Sequence, residues 1–564
     1  MAIDLSPEQR QLGQENYARA ADSLTRRRFL MGVAAAAGAV PVAAAAYFGY
    51  ESLHGKPVKT ALIGAGDEGG VLVGEHNPDY LEFVAVSDLR PYNLELTGGV
   101  PAGRIFEGDP KVALRKGFRK IYGSKANDIK AYRNFEEMLR SHSEIEAVVI
   151  ATPLVTHAPI AIRCMEIGKE RGKPIHVLCE KLMARTIGDC KKMIKTAHDT
   201  GSLLSIGHQR HYSMLYAHAR DIVEAGLLGD IKHIRALWHR NFTWPWHSDK
   251  DGPKLAEGVV QPQLRDGWFQ PIYQKDYDEL TTTLTQYKFP NGEPMYSSVE
   301  ELIRWRLYDR TGGGLMAELG SHQLDACSIF LGKVHPLTVQ GVGGKFFFGP
   351  GKNDRQSDDS IFVTFEFPGH NHPKGARKGR DESDIVVVTY SSVNTNGFEQ
   401  YGECVMGSRG TMIVEGEQKV FLYSEKDPTK KGAADPKATA VGVTTTAAGK
   451  PALDSGGTWG PAASAGAGPA GGPVGSAAGP VSRGYREEME DFAYCVRQWD
   501  AKVGYAAKSD GSYEQRLPRC HGRVAMTDAI IAMTANKAMK DRKRIEFQRD
   551  WFDADKMDAV PEKA

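Results

Sequence analysis

The sequence has few cysteines, and none of the seven lies in a Cys-x-x-Cys pair. This scarcity excludes a small disulfide scaffold and a zinc ribbon, and a chain folded in a reducing compartment should keep its thiols free. An excess of one charge is also missing, since 71 Lys and Arg face 70 Asp and Glu among 564 residues. A nucleic-acid-binding protein would need a clear basic excess, so we expect no nucleic-acid partner. Compact ligand patterns such as His-Glu-x-x-His are absent, so we predict no metal site, including around His208 and His211.

Long hydrophobic runs are rare, and the one present lies near the N-terminus. The stretch TRRRFLM at 25–31 opens an Ala-rich segment that continues to Tyr50. A basic patch, an apolar run and small residues are typical of an export signal. Paired arginines followed by Phe-Leu resemble the signal that the twin-arginine translocase reads. We predict that residues 1–55 are such a signal or a retained membrane anchor, and that the protein is periplasmic or held on the outer face of the inner membrane.

Short β-rich runs alternate with helical patterns over residues 57–182. The runs KTALIG, FVAVSD, AVVIAT and IHVLCE are almost continuously apolar, as strands covered on both faces are. This alternation predicts an N-terminal α/β domain of the Rossmann type with a parallel sheet.

The pattern changes in the remainder of the chain. IKHIRALWHR, SIFVTFEF and DIVVVTYSSV alternate and are rich in Val, Phe and Thr, which predicts a large, mostly antiparallel open sheet. We assign 183–550 to an α+β domain for substrate binding and oligomerisation, and 551–564 to a tail. Residues 432–482 are dominated by Ala, Gly, Pro, Ser and Thr, so we predict a disordered insertion. An apolar outer face on the open sheet would favour a homodimer or homotetramer.

A glycine-rich turn, Gly64-Ala65-Gly66-Asp67-Glu68-Gly69, follows the first predicted strand. Its spacing predicts a tight turn, close approach to a pyrophosphate and a helix N-terminus that supplies N–H donors. Asp88 ends the next strand and can bind ribose hydroxyls, which favours NAD, while the nearby Arg90 leaves NADP as an alternative. The predicted cofactor-binding residues are Gly64, Gly66, Glu68, Gly69, Asp88, Arg90, Thr152, Pro153, His157, Glu180 and Lys181.

Two further motifs resemble those of one enzyme family. HVLCEKLMA is similar to the Glu-Lys-Pro motif of the Gfo/Idh/MocA oxidoreductases, which include glucose–fructose oxidoreductase and inositol dehydrogenase. GGGLMAELGSHQLD resembles the helix of that family that carries an Asp and a His. The resemblance covers roughly residues 58–420 and the final helices. Here Leu182 stands where the family usually has Pro, and Glu318 where it often has Asp.

The resemblance implies that Lys181 lies near the nicotinamide and that His322 is the general acid/base, with Glu318 beside it. The chemistry of these residues agrees, because His titrates near neutrality and a fixed ammonium can stabilise an alkoxide. Their spacing predicts that Glu318, His322 and Asp325 share one helical face. The predicted substrate-binding residues are Gln209, Arg210, Tyr212, Trp238, Arg240 and Asp325.

Three functions fit these features. The first is an NAD(P)-dependent oxidoreductase with a tightly bound cofactor that acts on a hydroxyl or keto carbon of a sugar, cyclitol or glycoside. The second is an NAD-dependent glycoside hydrolase that oxidises its substrate transiently and eliminates a leaving group. The third is a sugar or nucleotide sensor without catalysis, since a fold alone does not fix a function.

Overall fold

The computed structural model describes most of the chain. The described residues are 5–32, 47–50, 53, 55–96, 102–243, 258–261, 266–289, 291–350, 353, 355–425, 442–445, 451–454 and 483–563. Most of the predicted signal's apolar run, at 33–46, and most of the predicted insertion lie outside them. Among the described helices, none combines the length and the apolar character needed to cross a bilayer.

The first sheet has six parallel strands in the spatial order β3-β2-β1-β4-β5-β6. The strands are β1 (Val58–Ile63), β2 (Leu81–Ser87), β3 (Lys130–Tyr132), β4 (Ala147–Ile150), β5 (His176–Glu180) and β6 (Leu204–Gly207). The predicted Rossmann-type domain is therefore confirmed. The sheet extends past the predicted boundary at residue 182, because β6 pairs with β5 and adds the last strand.

The chain up to residue 224 also forms helices, and for some of them the residues at the ends explain where the helix begins and ends. The helices up to residue 224 are α1 (Pro7–Gly32), α2 (Asp67–Glu75), α3 (Arg104–Glu107), α4 (Phe118–Tyr122), α5 (Phe135–Ser141), α6 (His157–Glu170), α7 (Ile187–Thr200) and α8 (Met214–Glu224). The α7 helix begins where the Thr186 side chain accepts a hydrogen bond from the Asp189 N–H, and it ends at Gly201, whose φ is +66°.

The second sheet has eight strands in the order β15-β14-β13-β7-β12-β11-β10-β18. They are β7 (Ile231–His239), β10 (Thr338–Gly344), β11 (Ser360–Pro368), β12 (Ile385–Val393), β13 (Tyr401–Gly407), β14 (Gly410–Glu415), β15 (Lys419–Ser424) and β18 (Ile545–Glu546), while β8 (Val259–Gln261) pairs separately with β9 (Ile272–Tyr273). Only the β7–β12 pair within this sheet is parallel, so the prediction of a mostly antiparallel sheet is confirmed.

The remaining helices cover one face of the second sheet and return to the first. They are α9 (Gln274–Thr283), α10 (Val299–Ile303), α11 (Ser321–Phe330), α12 (Tyr485–Gln498) and α13 (Gly522–Asp541), with a π turn at Met316–Gly320. Met489 and Phe492 of α12 join the core beneath β1 and β2. The chain therefore completes its first domain with residues that follow the predicted insertion.

The other face of the second sheet carries exposed apolar side chains. Val342, Phe362, Val387 and Met406 come from four different strands and are 62%, 49%, 37% and 37% exposed. Val342 and Phe362 stand opposite each other across β10 and β11. An apolar face of this kind is suited to self-association, which stays a prediction.

The α1 helix packs against the edge of the second sheet. Tyr17 donates a hydrogen bond to the Leu215 carbonyl at 3.0 Å, and Asn16 donates one to the Leu422 carbonyl at 3.0 Å. Ala20 and Ala21 are buried in the main core. The segment that precedes the paired arginines is thus part of the folded domain.

The structure describes part of the predicted insertion and all seven cysteines. Within the predicted disordered insertion, β16 (Gly442–Thr445) and β17 (Pro451–Asp454) form an antiparallel pair, so this part of the prediction is wrong. A local strand pair can satisfy its own backbone hydrogen bonds in a segment with few apolar residues. All seven cysteines have free, buried thiols, as expected.

Candidate active site

The turn after β1 leaves no space for side chains at two of its glycines. Gly64 has a φ of +95°, and a Cβ there would lie 2.3 Å from the Ala151 carbonyl oxygen. A Cβ at Gly69 would lie 2.1 Å from the Gly64 carbonyl oxygen. Gly66 faces open space, and no side chain caps the first turn of α2. The turn therefore offers free N–H groups at a helix N-terminus, which suits a pyrophosphate.

Asp88 is held beneath this turn by three hydrogen bonds. Its carboxylate accepts from the N–H groups of Ala65 at 2.6 Å and Arg90 at 2.7 Å, and from the Asn93 amide at 3.2 Å. Burial raises the pKa of this carboxyl group, and the hydrogen bonds oppose that shift. The Arg90 side chain is paired with Asp276 at 2.9 Å, so its charge is already compensated.

A cavity of about 350 Å³ extends from the glycine turn to the second domain. Side chains from both domains line it, which is the usual setting for a cofactor and a substrate to meet. The predicted residues that line the cavity are Gly64, Gly66, Glu68, Asp88, Arg90, Thr152, Pro153, His157, Glu180, Lys181 and Glu318. Gly69 lies behind the turn, where it packs against Gly64.

His157 joins the end of β4 to the segment that carries Lys181. Its Nδ1 lies 2.8 Å from the Leu182 carbonyl, and its Nε2 lies 2.8 Å from the Thr152 carbonyl. Both ring nitrogens therefore have main-chain partners. The peptide bond between Lys181 and Leu182 is cis. We conclude that His157 positions the lysine segment through its two main-chain contacts.

Lys181 contacts the helical segment that bears the predicted acid/base residue. Its ammonium donates a hydrogen bond of 3.0 Å to the Glu318 carbonyl, within the π turn. The Glu318 carboxylate is paired with Arg306 at 2.6 Å, and although burial raises the pKa of Glu318, Arg306 and Lys181 lower it overall. Glu318 therefore keeps its negative charge beside two cations.

Two more carboxyl groups lie on the cofactor side of Lys181. Burial, together with the charge of Glu68, raises the pKa of Glu180 well above its ordinary value. Burial likewise raises the pKa of Glu68, whose Oε1 is buried without a hydrogen-bond partner. Both groups thus tend to be uncharged near the lysine, which leaves its positive charge effective.

His322 lies next to Lys181 but outside the residues that line the cavity. Its side chain is buried, and burial followed by the charges of Lys181 and Arg210 lowers its pKa well below the ordinary value. The imidazole is therefore neutral at neutral pH and can accept a proton. The ring centroid of Trp238 is 5.4 Å from that of His322, and Tyr401 stacks on Trp238 at 4.5 Å.

Three predicted substrate residues lie in the interior instead. Arg210 is 1% exposed, and its guanidinium donates to Glu403, Glu417 and the His322 carbonyl at 2.6–2.9 Å. The Tyr212 hydroxyl is buried and accepts from the Cys520 N–H, and Gln209 is 1% exposed. These placements argue against direct substrate contact. Arg210 instead fixes the main chain at His322.

Asp325 also points away from the predicted site. It accepts a hydrogen bond from His211 at 2.9 Å and pairs with Lys333 at 2.5 Å. The π turn between Met316 and Gly320 changes the spacing between Glu318 and Asp325, whereas His322 and Asp325 lie together on α11. Asp325 therefore belongs to a second buried cluster.

That cluster brings together donors of the kind that bind metals. Donor atoms of His208, Asp325 and Asp528 lie within 4.8 Å of one another, although no sequence pattern indicated it. Lys333 lies among them, 2.5 Å from Asp325 and 3.7 Å from Asp528. Its ammonium supplies the positive charge that a metal ion would otherwise supply.

Two residues that pair with side chains of the cavity wall carried no sequence signal. Arg306, which itself lines the cavity, comes from a short 3-10 turn, Trp305–Leu307, and Asp276 comes from α9. Arg306 pairs with Glu318 of the same region of the chain, and Asp276 pairs with Arg90, 186 residues before it. Only the position of Arg306, 12 residues before Glu318, could have drawn attention to it.

Two family models match the chain. Residues 113–208 match the model described as the oxidoreductase family with an NAD-binding Rossmann fold. Residues 279–413 match the GFO/IDH/MocA C-terminal domain. The first match begins after the glycine turn, so this family model does not cover the turn. Its interpretation as a nucleotide-binding turn depends on the geometry described above.

Curated relatives align with parts of the chain. The 2,7-anhydro-N-acetylneuraminate hydratase of Escherichia coli (strain K12) is 24% identical over 306 residues, which cover 52% of this chain and 62% of that protein. Inositol 2-dehydrogenase 1 of Saccharopolyspora erythraea is 30% identical over 152 residues, covering 26% and 41%. The chain thus spans less than two thirds of the length of the curated relatives it matches.

A solved structure matches over a longer range. The inositol dehydrogenase homologue of Azotobacter vinelandii, complexed with NAD+, has a TM-score of 0.51 at 15% identity and covers 87% of this chain and 98% of its own. That likeness concerns the fold. The two family models match parts of this chain, and over those parts it is similar to the GFO/IDH/MocA oxidoreductases.

Proposed function

We propose that the protein binds a nicotinamide dinucleotide and catalyses hydride transfer at a hydroxyl-bearing carbon of a sugar or cyclitol. The proposal depends on the arrangement of Lys181 and His322. Lys181 lines the cavity that begins at Gly64 and donates a hydrogen bond to the Glu318 carbonyl, and the buried His322 lies close enough for the Lys181 charge to lower its pKa. An ammonium and a neutral imidazole beside one cavity suit an alcohol oxidation.

The residues around the glycine turn fit the cofactor. Gly64 and Gly66 leave room for a pyrophosphate, and the uncapped start of α2 supplies N–H donors. Asp88 lines the cavity with a carboxylate suited to ribose hydroxyls, and a 2′-phosphate there would meet its negative charge. We therefore favour NAD over NADP.

His322 and Lys181 have different roles in the proposed reaction. When bound, a nicotinamide supplies a ring that accepts a hydride, which is one hydrogen with two electrons. His322 accepts the hydroxyl proton of the substrate, since its lowered pKa keeps the ring neutral. The Lys181 ammonium stabilises negative charge on the substrate oxygen as the carbon–oxygen double bond forms. Glu318, paired with Arg306, fixes the wall beside them.

A redox-neutral reaction is the second candidate. One relative is named as a hydratase, so related chains carry out more than net oxidation. A transient oxidation at the same carbon would acidify the neighbouring C–H and permit loss of a glycosidic leaving group. Release of an aryl group from a glycoside without accumulation of reduced cofactor would favour this reaction.

We further propose export by the twin-arginine route and assembly into a homodimer or homotetramer. The motif TRRRFL at 25–30 supports export. The exposed apolar side chains on the second sheet, including Val342 and Phe362, support self-association. Outside the cytoplasm, a tightly held cofactor would need a second substrate to restore it within the site.

Purification without added cofactor tests the proposed function. The absorbance of reduced nicotinamide should rise when sugars or cyclitols are added to the protein, either as isolated or after it is loaded with NAD. Failure to retain or bind any nicotinamide nucleotide, together with no spectral change for any substrate, would overturn the proposal.

A further inference from the structure

Arg240 lies at the end of β7, two residues after Trp238. Its guanidinium carbon is 4.9 Å from the centroid of the Trp238 ring and 5.8 Å from that of Phe242. Its main-chain N–H donates to the Val393 carbonyl at 2.8 Å, which fixes the residue beside the neighbouring strand. The side chain is half-buried between aromatic rings.

This guanidinium has no carboxylate partner in the described part of the chain. None of its nitrogens hydrogen-bonds to a described residue, and its pKa is lowered by burial and then by the charge of Arg306. Two other arginines stacked on aromatic rings differ in this respect. Arg210 pairs with Glu403 and Glu417, and Arg355 pairs with Asp266 at 2.8 Å.

A partly buried charge without a partner is costly to keep in a folded protein. Such a group is therefore expected where a ligand supplies the missing charge. The aromatic rings occupy the neighbourhood of the guanidinium while its N–H donors have no described acceptor. Five donors in a planar fork match the two oxygens of a carboxylate.

Arg240 is also close to the proposed reaction centre. Trp238 contacts both groups, since its ring is 5.4 Å from His322 and 4.9 Å from the Arg240 guanidinium. Tyr401 stacks on Trp238 and the Arg240 guanidinium lies over the same ring, so a ligand that reaches both His322 and Arg240 would pass along the edge of the indole.

The charges around this path are mainly positive. Lys181, Arg306 and Arg240 are opposed by the Glu318 carboxylate, which pairs with Arg306. A neutral sugar would leave the Arg240 guanidinium without a counter-charge, whereas the carboxylate of an acidic sugar would supply one.

We propose that the substrate is a sugar acid, such as a uronate or an acidic cyclitol derivative, whose carboxylate pairs with Arg240 while its hydroxyl carbon lies at His322. This inference rests on the proposed function and specifies its substrate class. A phosphate group offers similar oxygens and also pairs with an arginine through two parallel hydrogen bonds, so glucose 6-phosphate is the competing substrate in the test.

Matched substrates test the inference. For the wild-type protein loaded with NAD, we expect kcat/KM for D-glucuronate or D-galacturonate to exceed that for D-glucose or D-galactose by roughly 10- to 100-fold, the scale of a charged hydrogen-bonded pair. Replacement of Arg240 by Gln should remove most of this ratio, mainly through a higher KM for the acid. Arg235→Gln on the same strand, where Arg235 pairs with Glu399, is the matched control and should preserve the ratio.

Three results would overturn the inference. They are equal turnover of acid and neutral sugar, a clear preference for glucose 6-phosphate over glucuronate, or a ratio unchanged in Arg240→Gln. If nucleotide binds but no sugar is oxidised, the binding of glucuronate to the nucleotide-loaded protein can still be measured by calorimetry. No binding heat, or the same binding heat in wild type and Arg240→Gln, would contradict a carboxylate site at Arg240. Loss of nucleotide binding would instead contradict the proposed function. A second variant, Arg240→Lys, keeps the charge without the fork and should restore only part of the preference.

Discussion

The Lys181 ammonium donates a 3.0 Å hydrogen bond to the main-chain carbonyl of Glu318, four residues before His322. This contact joins the end of β5 in the first sheet to the π turn that precedes α11 in the second domain. The cofactor side and the substrate side of the cavity are thus linked directly at the proposed reaction centre. Unusual helical turns are frequent at functional sites, and this one presents a main-chain oxygen to the side chain that we propose as catalytic.

Replacement of Arg210 by Met should destabilise the protein strongly. The change removes the partner of Glu403 and Glu417 and leaves two carboxylates buried without their cation. We expect a loss of about 3–5 kcal/mol in the free energy of unfolding, measured by urea denaturation. Arg544→Met, which breaks an exposed pair with Glu366, is the control and should cost less than about 1 kcal/mol. Equal losses in the two variants would contradict the buried network.

Much of the fold could be predicted from the sequence because its strands and its glycine turn are determined by residues that are close together in the chain. The apolar runs around Val58–Ile63 and Ala147–Ile150 are strands covered on both faces, and such runs are visible in sequence. The glycine turn was also predictable, because Gly64 and Gly69 are required by close main-chain contacts.

The site could be predicted only in part because its remaining contacts cross the chain. Arg210 follows a strand, as a substrate residue could, but its partners Glu403 and Glu417 are 193 and 207 residues away and hold it in the core. The pairing of Arg306 with Glu318 depends on how two turns pack. The π turn, which changes the spacing between Glu318 and Asp325, has no sequence signature of its own.

Asp88→Ser should weaken the preference for NAD over NADP. The substitution removes the negative charge that a 2′-phosphate would meet in the cavity. We expect the ratio of the dissociation constants for NADPH and NADH to shift toward NADPH by roughly tenfold, or about 1.4 kcal/mol, in fluorescence titrations. The exposed Asp79→Ser in the same domain should leave the ratio unchanged. The same ratio in wild type and Asp88→Ser would exclude Asp88 from cofactor selection.

The contribution of three buried histidines to stability should fall as the pH drops below about 6.5. Burial lowers the pKa of His76, His176 and His521 to about 4, below the ordinary value of 6.5. At these three positions the unfolded chain therefore binds more protons than the folded one between these values, so the stability that they contribute is lost as the pH falls through this window. Each histidine should contribute on the order of 1 kcal/mol of loss between pH 7.5 and 5.5.

Urea denaturation at pH 7.5 and 5.5 measures this effect. The His176 Nδ1 accepts a hydrogen bond from the Leu203 N–H at 3.0 Å, which only an unprotonated nitrogen can do. His176→Gln should therefore reduce the difference between the two pH values. The same difference between the two pH values in wild type and His176→Gln would show that the His176 ring is not buried as a neutral group.

Ala20→Asp should destabilise the folded domain, although residue 20 precedes the predicted export motif. Ala20 is 1% exposed in the core between α1 and the second sheet, so a carboxylate there would be buried without a partner. We expect a loss of more than about 2 kcal/mol in the free energy of unfolding. The neighbouring Arg19 is exposed, and Arg19→Ala should change it by less than about 0.5 kcal/mol. Similar stabilities of both variants would show that α1 is not part of the fold.

Single-turnover reduction of the bound nucleotide tests the meeting of Lys181 and His322 most directly. Wild type, Lys181→Met and His322→Asn would each be loaded with NAD and mixed rapidly with a sugar or sugar acid that the wild type oxidises. We predict that His322→Asn binds NAD with unchanged affinity and that both variants, once saturated with NAD, form reduced nicotinamide roughly 10²- to 10⁴-fold more slowly. Reduction at the wild-type rate in either variant would contradict the assigned roles of these two residues.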